Sequence, residues 1–195
     1  MGASFEKSYK SILERLNKRA VRIQIPMGAE ENLRGVIDLV RMKAYIFEGE
    51  KGEKVIESEI PAEYAEEAKK YRAEMIEKIA ETDDSLMTAY LEGKVFEMDT
   101  IKKGLRKATL ACKMFPVITG SALKNKGVQL VLDAVVDYLP SPLDIPPVKG
   151  HHPETGEEVI RHADDSEPFS ALAFKLQNDP FVGQLTFFRG YSGTV

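Results

Sequence analysis

The sequence predicts an α/β fold that is interrupted by an inserted α+β block and followed by the first strands of a β domain. Three observations predict it. An apolar strand, Phe115–Ile118, ends in a Gly-Ser-Ala turn and leads into a helix, which is the strand–loop–helix order of α/β folds. A helix followed by a strand opens the chain, and a proline-rich break near residue 140 precedes a tail with β-strand character.

The N-terminal segment predicts a helix and then a strand. Ser4 is a suitable helix cap, and apolar residues follow it at helical spacing: Phe5, Tyr9, Ile12, Leu13 and Leu16. In "AVRIQIP" the apolar residues Val21, Ile23 and Ile25 alternate with polar ones, as in a strand. Pro26 is predicted to end this strand.

The middle of the chain predicts strands and then helices. "RGVIDLVRMKAYIF" is rich in β-branched and aromatic residues, "EGEKGEK" is typical of a turn, and Lys54–Glu57 is predicted to return as a hairpin strand. Pro61 opens the longest predicted helix, whose apolar face is formed by Tyr64, Ala68, Tyr71, Met75 and Ile79. A short helix ending at Gly93 and a third helix from about Asp99 toward Cys112 complete the block.

The C-terminal tail predicts two strands around the turn "NDPFVG", after the linker "PSPLDIPP". The runs carry large apolar side chains at Phe174, Leu176, Leu185, Phe187 and Phe188. Two strands alone cannot bury such side chains, so the tail is expected to need further strands for its stability.

Composition limits the classes of function. The 195 residues include 27 basic and 31 acidic ones, and this formal net charge of −4 argues against a nucleic-acid module that relies on bulk positive charge. The single cysteine, Cys112, excludes an internal disulfide, fits a reducing cytosol and is predicted to be a buried structural thiol. The sequence contains no apolar run long enough to span a membrane.

We call residues 119–127, between the apolar strand and its helix, the GSA loop. A guanine-binding pocket needs a donor aimed at the guanine O6, and a backbone N–H in a tight loop of small residues supplies one. Ser121 and Ala122, followed by Leu123, suit that role. The alternative is an ordinary strand-to-helix turn in which Ser121 acts as a cap.

Three long strings resemble bacterial elongation factor G, a translational GTPase family: "ITGSALKNKGVQLVLDAVVDYLPSPLDIPP", "PMGAEENLRGVIDLVRMKAYIFE" and "PFSALAFKLQNDPFVGQLTFFRGYSGTV". The resemblance implies that 1–27 and 114–146 are the C-terminal part of a P-loop GTPase-type sheet. It makes 28–113 an inserted α+β subdomain and 147–195 a linker with the first strands of a β-barrel domain. Gly190 departs from the family, which usually has valine there, and a glycine weakens a strand locally.

The resemblance implies a ribosome-dependent, cytoplasmic GTPase that uses GTP or GDP with magnesium and drives tRNA–mRNA translocation. The sequence lacks the phosphate loop GxxxxGK[ST], the DxxG switch motif and the NKxD base motif. We therefore expect a fragment with no catalytic residues of its own, which does not bind or hydrolyse GTP alone. Of the guanine site it is expected to keep Ser121, Ala122 and Leu123, and the frame upstream of Met1 is expected to encode the missing motifs.

A group of acidic residues suggests a partner. On a helix that extends beyond residue 80, Glu77, Glu81 and Asp84 would lie together opposite the apolar face. A solvated acidic face is one interpretation. The resemblance implies another, in which this helix meets the C-terminal domain of the ribosomal stalk protein. A stand-alone module that docks on the stalk protein without nucleotide is therefore an alternative function.

A histidine-rich segment suggests a third hypothesis, an unrelated metal-binding or hydrolytic enzyme. "GHHPETGEEVIRHADD" contains imidazoles and carboxylates that are possible zinc ligands: His151, His152, Glu154, Glu157, Glu158, His162, Asp164 and Asp165. Their irregular spacing and the lack of a cysteine partner favour a solvated hairpin instead, and the resemblance assigns no metal there.

Overall fold

The computed structural model describes residues 2–49 and 51–195, so Met1 and Glu50, the latter in the predicted "EGEKGEK" turn, lie outside it. The chain divides into two compact units, Met1–Leu139 and Pro140–Val195. The helices are α1 (Phe5–Arg15), α2 (Ala62–Ala80), α3 (Asp84–Leu91), α4 (Met98–Leu110) and α5 (Val128–Tyr138). The strands are β1 (Ala20–Arg22), β2 (Gln24–Met27), β3 (Gly35–Asp38), β4 (Lys43–Glu48), β5 (Lys54–Ser58), β6 (Phe115–Val117), β7 (Val148–His151), β8 (Glu158–Arg161), β9 (Ser170–Asp179) and β10 (Gly183–Ser192).

The first unit contains a parallel pair and an antiparallel sheet. β1 pairs with β6 in parallel, with Ala20 opposite Phe115, and β2-β3-β4-β5 form a four-stranded antiparallel sheet. This mixed α/β arrangement confirms the predicted class. Parallel strands normally occur in sheets whose two faces are covered, which makes a pair of them unusual as a complete sheet.

The core of this unit lies between the antiparallel sheet and helices α2 and α4. The largest fully buried side chains include Ile25, Met27 and Ile37 from the strands and Leu39 from the turn after β3, with Met75, Ile79, Ile101 and Leu105 from the helices. The apolar face predicted for the longest helix is confirmed, because Ala68, Met75 and Ile79 are buried and Tyr64 and Tyr71 pack against the same core. None of the helices described here is both long and apolar enough to cross a membrane.

The predicted strand at 20–26 proves to be two strands in different sheets. β1 joins the parallel pair and β2 the antiparallel sheet, and the amide of Ile23 between them donates to the carbonyl oxygen of Val117 at 3.0 Å. Both faces of the segment are therefore covered, and even Arg22 and Gln24 are buried. Pro26 lies inside β2 rather than after it, which is compatible with the edge position of β2 in its sheet.

The prediction that Cys112 is buried is wrong. Helix α4 ends at Leu110, and Cys112 follows in the turn with a left-handed backbone, φ 52°. The thiol is exposed, and Met114 takes the buried position before β6.

The second unit consists of two antiparallel hairpins, β7–β8 and β9–β10. The predicted tail strands around "NDPFVG" are confirmed, and Phe174, Leu176, Phe187 and Phe188 are exposed on them. Gly190 pairs with Ala171, next to a shift in register before Ser192. The boundary between the two compact units falls after Leu139, and the assignment of 140–146 to the first domain stays a prediction.

Candidate functional site

The GSA loop is a closed turn at the C-terminal end of β6. Ser121 donates its amide to the carbonyl oxygen of Lys126 at 2.8 Å, and Lys126 returns an amide bond to Ser121 at 2.9 Å. Asn125 donates to Ala122 at 3.1 Å with φ 48°, a left-handed conformation that asparagine tolerates better than most residues. Gly127, with φ 87°, then begins α5. The predicted strand–loop–helix unit is thus present.

Of the three predicted site residues, Ala122 and Leu123 lie at the tip of this loop and Ser121 lies in the pair that closes it. Ala122 and Leu123 are exposed, Leu123 at 98%, and Ser121 is half-buried. The amides of Ala122 and Leu123 donate to no acceptor among the described residues. Amides without an acceptor in the described chain are able to donate to a carbonyl oxygen of a ligand, which is the chemistry expected for the guanine O6.

A cleft of about 350 Å³ lies beside the base of the loop. It is lined by Thr119 and Gly120, the start of α1 and residues 26–33, but not by Ser121, Ala122 or Leu123. Buried Gln24 supports this end of the loop by accepting the amide hydrogen of Thr119 at 3.4 Å. The structure therefore brings the base of the loop close to the first residues of α1, while the predicted donors do not line the cleft.

The predicted single acidic stripe is wrong. Helix α2 ends at Ala80, Glu81 is its C-cap, and Asp84 begins α3, so Glu77, Glu81 and Asp84 do not share one helix face. A new helix begins there because the Asp83 carboxylate caps α3. It accepts hydrogen bonds from the amides of residues 85 and 86 at 2.9 and 3.2 Å.

All three acidic residues are nevertheless exposed and form no ion pair within the described chain. The charge around Glu81 is mixed, because it borders a cleft of about 370 Å³ that is also lined by Lys18, Arg19, Lys78 and Lys113.

An ion pair at the junction of α2 and α3 was not foreseen from the sequence. Asp83 also accepts a hydrogen bond from Lys107 of α4. That bond, with those from Ser85 and Leu86, lowers the pKa of Asp83 well below its usual range. The Asp-Asp helix start was legible in the sequence, but the lysine partner lies 24 residues away and had no local signal.

A polar cluster around Asp38 was also not foreseen. The half-buried carboxylate accepts hydrogen bonds from the amides of Val40 and Arg41 at 2.7 and 2.9 Å. Burial raises the pKa of Asp38, although these two bonds and the nearby cations act to lower it. Arg72 donates to the carbonyl oxygen of Val40 at 2.8 Å. The adjoining cavity, about 20 Å³, holds at most one water molecule, so we interpret the cluster as a structural joint.

The histidine-rich segment does not assemble a site. No three His, Cys, Asp or Glu side chains come together to hold a metal ion among the residues that the structure describes. His152 instead accepts the amide hydrogen of Glu154 at 3.3 Å within the turn of the β7–β8 hairpin. Asp164 accepts from the hydroxyl of Ser166 at 2.6 Å, and this bond with the amide bond of Ser166 lowers the pKa of Asp164.

The fold and the loop define a mixed α/β protein with a small parallel pair beside antiparallel sheets. No model of a protein family matches the chain. The chain is similar to a protein of Thermus thermophilus of known crystal structure, with 27% sequence identity and a TM-score of 0.75. The match covers 98% of this chain and 26% of that one, so the chain spans about a quarter of the length of the protein it resembles.

Proposed function

We propose that the chain is part of a translational GTPase similar to bacterial elongation factor G. In this proposal the parallel pair with the GSA loop is the end of the GTPase domain. The antiparallel sheet with α2, α3 and α4 is its insertion, and the hairpins of the second unit begin a β-barrel domain. The amides at Ala122 and Leu123 supply one wall of the guanine site.

The observation that carries the proposal is the incomplete cover of α5, the helix that follows the GSA loop. Helix α5 buries Leu130 and Tyr138 on one side, while Leu132 and Val136 on another side are 62% and 77% exposed. Val131, Val135 and Leu139 extend this exposed apolar surface. A helix with two apolar sides is typical of the interior of a larger domain, and in our proposal the rest of the GTPase domain covers the open side.

The GSA loop fits the same arrangement. It follows a parallel strand at its C-terminal end, where α/β sheets bind their ligands, and its tip presents unpaired amides. The phosphate and magnesium contacts of such a GTPase require motifs that the sequence lacks.

We expect the 195-residue chain to show no saturable micromolar binding in a titration with a fluorescent GDP analogue. One loop amide contributes only about 1 kcal/mol net, and the phosphate contacts that dominate nucleotide affinity have no counterpart in the sequence. The matched sample is the chain extended upstream in its own reading frame. It should bind the analogue, and GDP should compete better than ADP.

Two results would contradict the proposal. Saturable micromolar binding by the 195-residue chain would show a complete nucleotide site built without the three missing motifs. An extended protein that binds no nucleotide, or binds ADP as well as GDP, would remove the guanine role from the GSA loop.

A second proposal concerns a partner. The exposed, unpaired carboxylates of Glu77, Glu81 and Asp84 favour docking on basic side chains, and the resemblance suggests the C-terminal domain of the ribosomal stalk protein. Such charges act mainly on the association rate and are screened by salt over about 8–10 Å.

Glu77→Lys combined with Glu81→Lys should slow association with the stalk domain and leave the melting temperature nearly unchanged, because exposed charges contribute little to stability. The measurement is a surface-binding titration at low and high salt. The control is Glu66→Lys with Glu67→Lys, the same charge change at least about 15 Å away along α2, where Glu66 also loses its exposed ion pair with Lys69. Equal association rates for the two double variants would contradict the docking proposal and favour the interpretation that these residues form a solvated acidic surface.

A further inference from the structure

We propose that the tip of the β4–β5 hairpin positions the GSA loop, and that Gly52 and Lys126 are the positioning residues. The inference rests on the proposed function, since it concerns how the guanine-facing amides are held. The contacts that carry it lie between residues of the chain itself.

The first contact is at Gly52. This residue is buried, although its neighbour Lys51 is exposed, because the GSA loop covers it. A Cβ built on Gly52 would lie 2.7 Å from the carbonyl oxygen of Lys124 and 2.9 Å from that of Asn125. The backbone is left-handed, φ 59°, so the position combines two requirements that only glycine meets easily. The hairpin tip therefore lies directly against the loop.

The second contact runs from the loop back to the antiparallel sheet. Lys126 Nζ donates to the carbonyl oxygen of Leu33, just before β3, at 2.5 Å. The same lysine is half-buried and borders a small cleft with Phe47 and Met27. Its backbone makes both hydrogen bonds that close the loop on Ser121. Lys126 thus ties the closure of the loop to the inserted block.

These contacts hold the GSA loop from the side of the antiparallel sheet. Residues 124–126 are held from the side of the proposed insertion, while Ala122 and Leu123 are exposed at the tip. Binding to a loop that is already ordered avoids the entropy loss of ordering it. In this arrangement the insertion serves the nucleotide site as well as any partner.

Hydrogen exchange by NMR on the nucleotide-free 195-residue chain tests the inference. Gly52→Ala and Lys126→Met should each accelerate exchange of the Ser121 and Lys126 amides by about tenfold or more, because local opening becomes easier. Exchange at Val36 and Tyr45 in the antiparallel sheet should stay unchanged.

Two matched controls isolate the contacts. Gly156→Ala makes the same change at a left-handed glycine, φ 72°, that has open space around it, and Lys124→Met removes an exposed lysine from the same loop. Neither should alter exchange at Ser121 or Lys126.

Unchanged exchange in both positioning variants would overturn the inference, and so would an equal acceleration throughout the first unit. Because no nucleotide is present, such a failure would leave the GDP titration of the proposed function unaffected. Conversely, a failed titration would leave the contact between hairpin and loop intact.

Discussion

Replacing Arg22 by lysine should lower the free energy of unfolding by about 2 kcal/mol, an unusually large effect for a substitution that keeps the charge. Arg22 is 8% exposed at the junction of α1, β1 and α2. Its guanidinium carbon lies 4.2 Å from the ring centre of Tyr9 and 3.9 Å from that of Tyr71. Lysine cannot stack between two rings, and its compact ammonium is more strongly hydrated.

The carboxylate of Glu6 completes this environment. It accepts two hydrogen bonds from Arg22, at 2.6 and 3.3 Å, in a bidentate arrangement that a single ammonium does not reproduce. Burial works against the charged guanidinium, but the bond and charge of Glu6, with the two tyrosines, outweigh it and raise the pKa of Arg22. Lysine would keep the cost of burial and lose much of this compensation.

Urea unfolding followed by far-UV circular dichroism measures the effect. Arg15→Lys is the control, because Arg15 is exposed in the last turn of α1, and it should change stability by less than about 0.5 kcal/mol. Arg22→Met should cost less than Arg22→Lys, since methionine carries no charge into the site. Equal stability of Arg22→Lys and the wild type would show that stacking contributes nothing there.

The elements whose burial follows a simple period were predictable from the sequence. The face of α2 through Ala68, Met75 and Ile79 repeats at helical spacing, and the structure buries those residues. The strand–loop–helix unit around Ser121 was also legible, because an apolar run, a small-residue turn and an amphipathic segment each carry a local signal.

The errors came from contacts between distant parts of the chain. The segment 20–26 was predicted as one strand, but its first half pairs with β6 and its second half with β3, in different sheets. The predicted acidic stripe required a helix that continues beyond residue 80. The helix ends there instead, and the side chain of Asp83 caps a new helix, α3. The contact of Gly52 with Lys124 joins residues that no local pattern relates.

Gly104→Ala should destabilise the protein by about 1–2 kcal/mol, although alanine is the better helix former by about 1 kcal/mol. Gly104 is buried within α4, where that helix packs on α2. A Cβ built on it would lie 2.6 Å from Cγ2 of Ile79 and 3.2 Å from Cδ1 of Leu86. At 2.6 Å the buried Ile79 side chain of α2 has to shift, and at 3.2 Å that of Leu86 on α3 has to give by a few tenths of an ångström.

The sign of the effect should reverse when Ile79 is shortened. Ile79→Ala alone should cost about 2–5 kcal/mol, because the side chain is fully buried and its removal leaves a cavity. In that background Gly104→Ala no longer meets Cγ2, so it should stabilise the protein by about 1 kcal/mol through helix propensity.

A double-mutant cycle in urea measures the coupling between the two positions, which should reach about 2–3 kcal/mol. Lys103→Ala, on the exposed side of the same helix, is the control and should show no coupling to Ile79→Ala. Additive effects at Gly104 and Ile79 would mean that α4 shifts away from α2 to accept the methyl group. Coupling of the expected sign would instead show that close helix packing, rather than helix propensity, requires glycine at position 104.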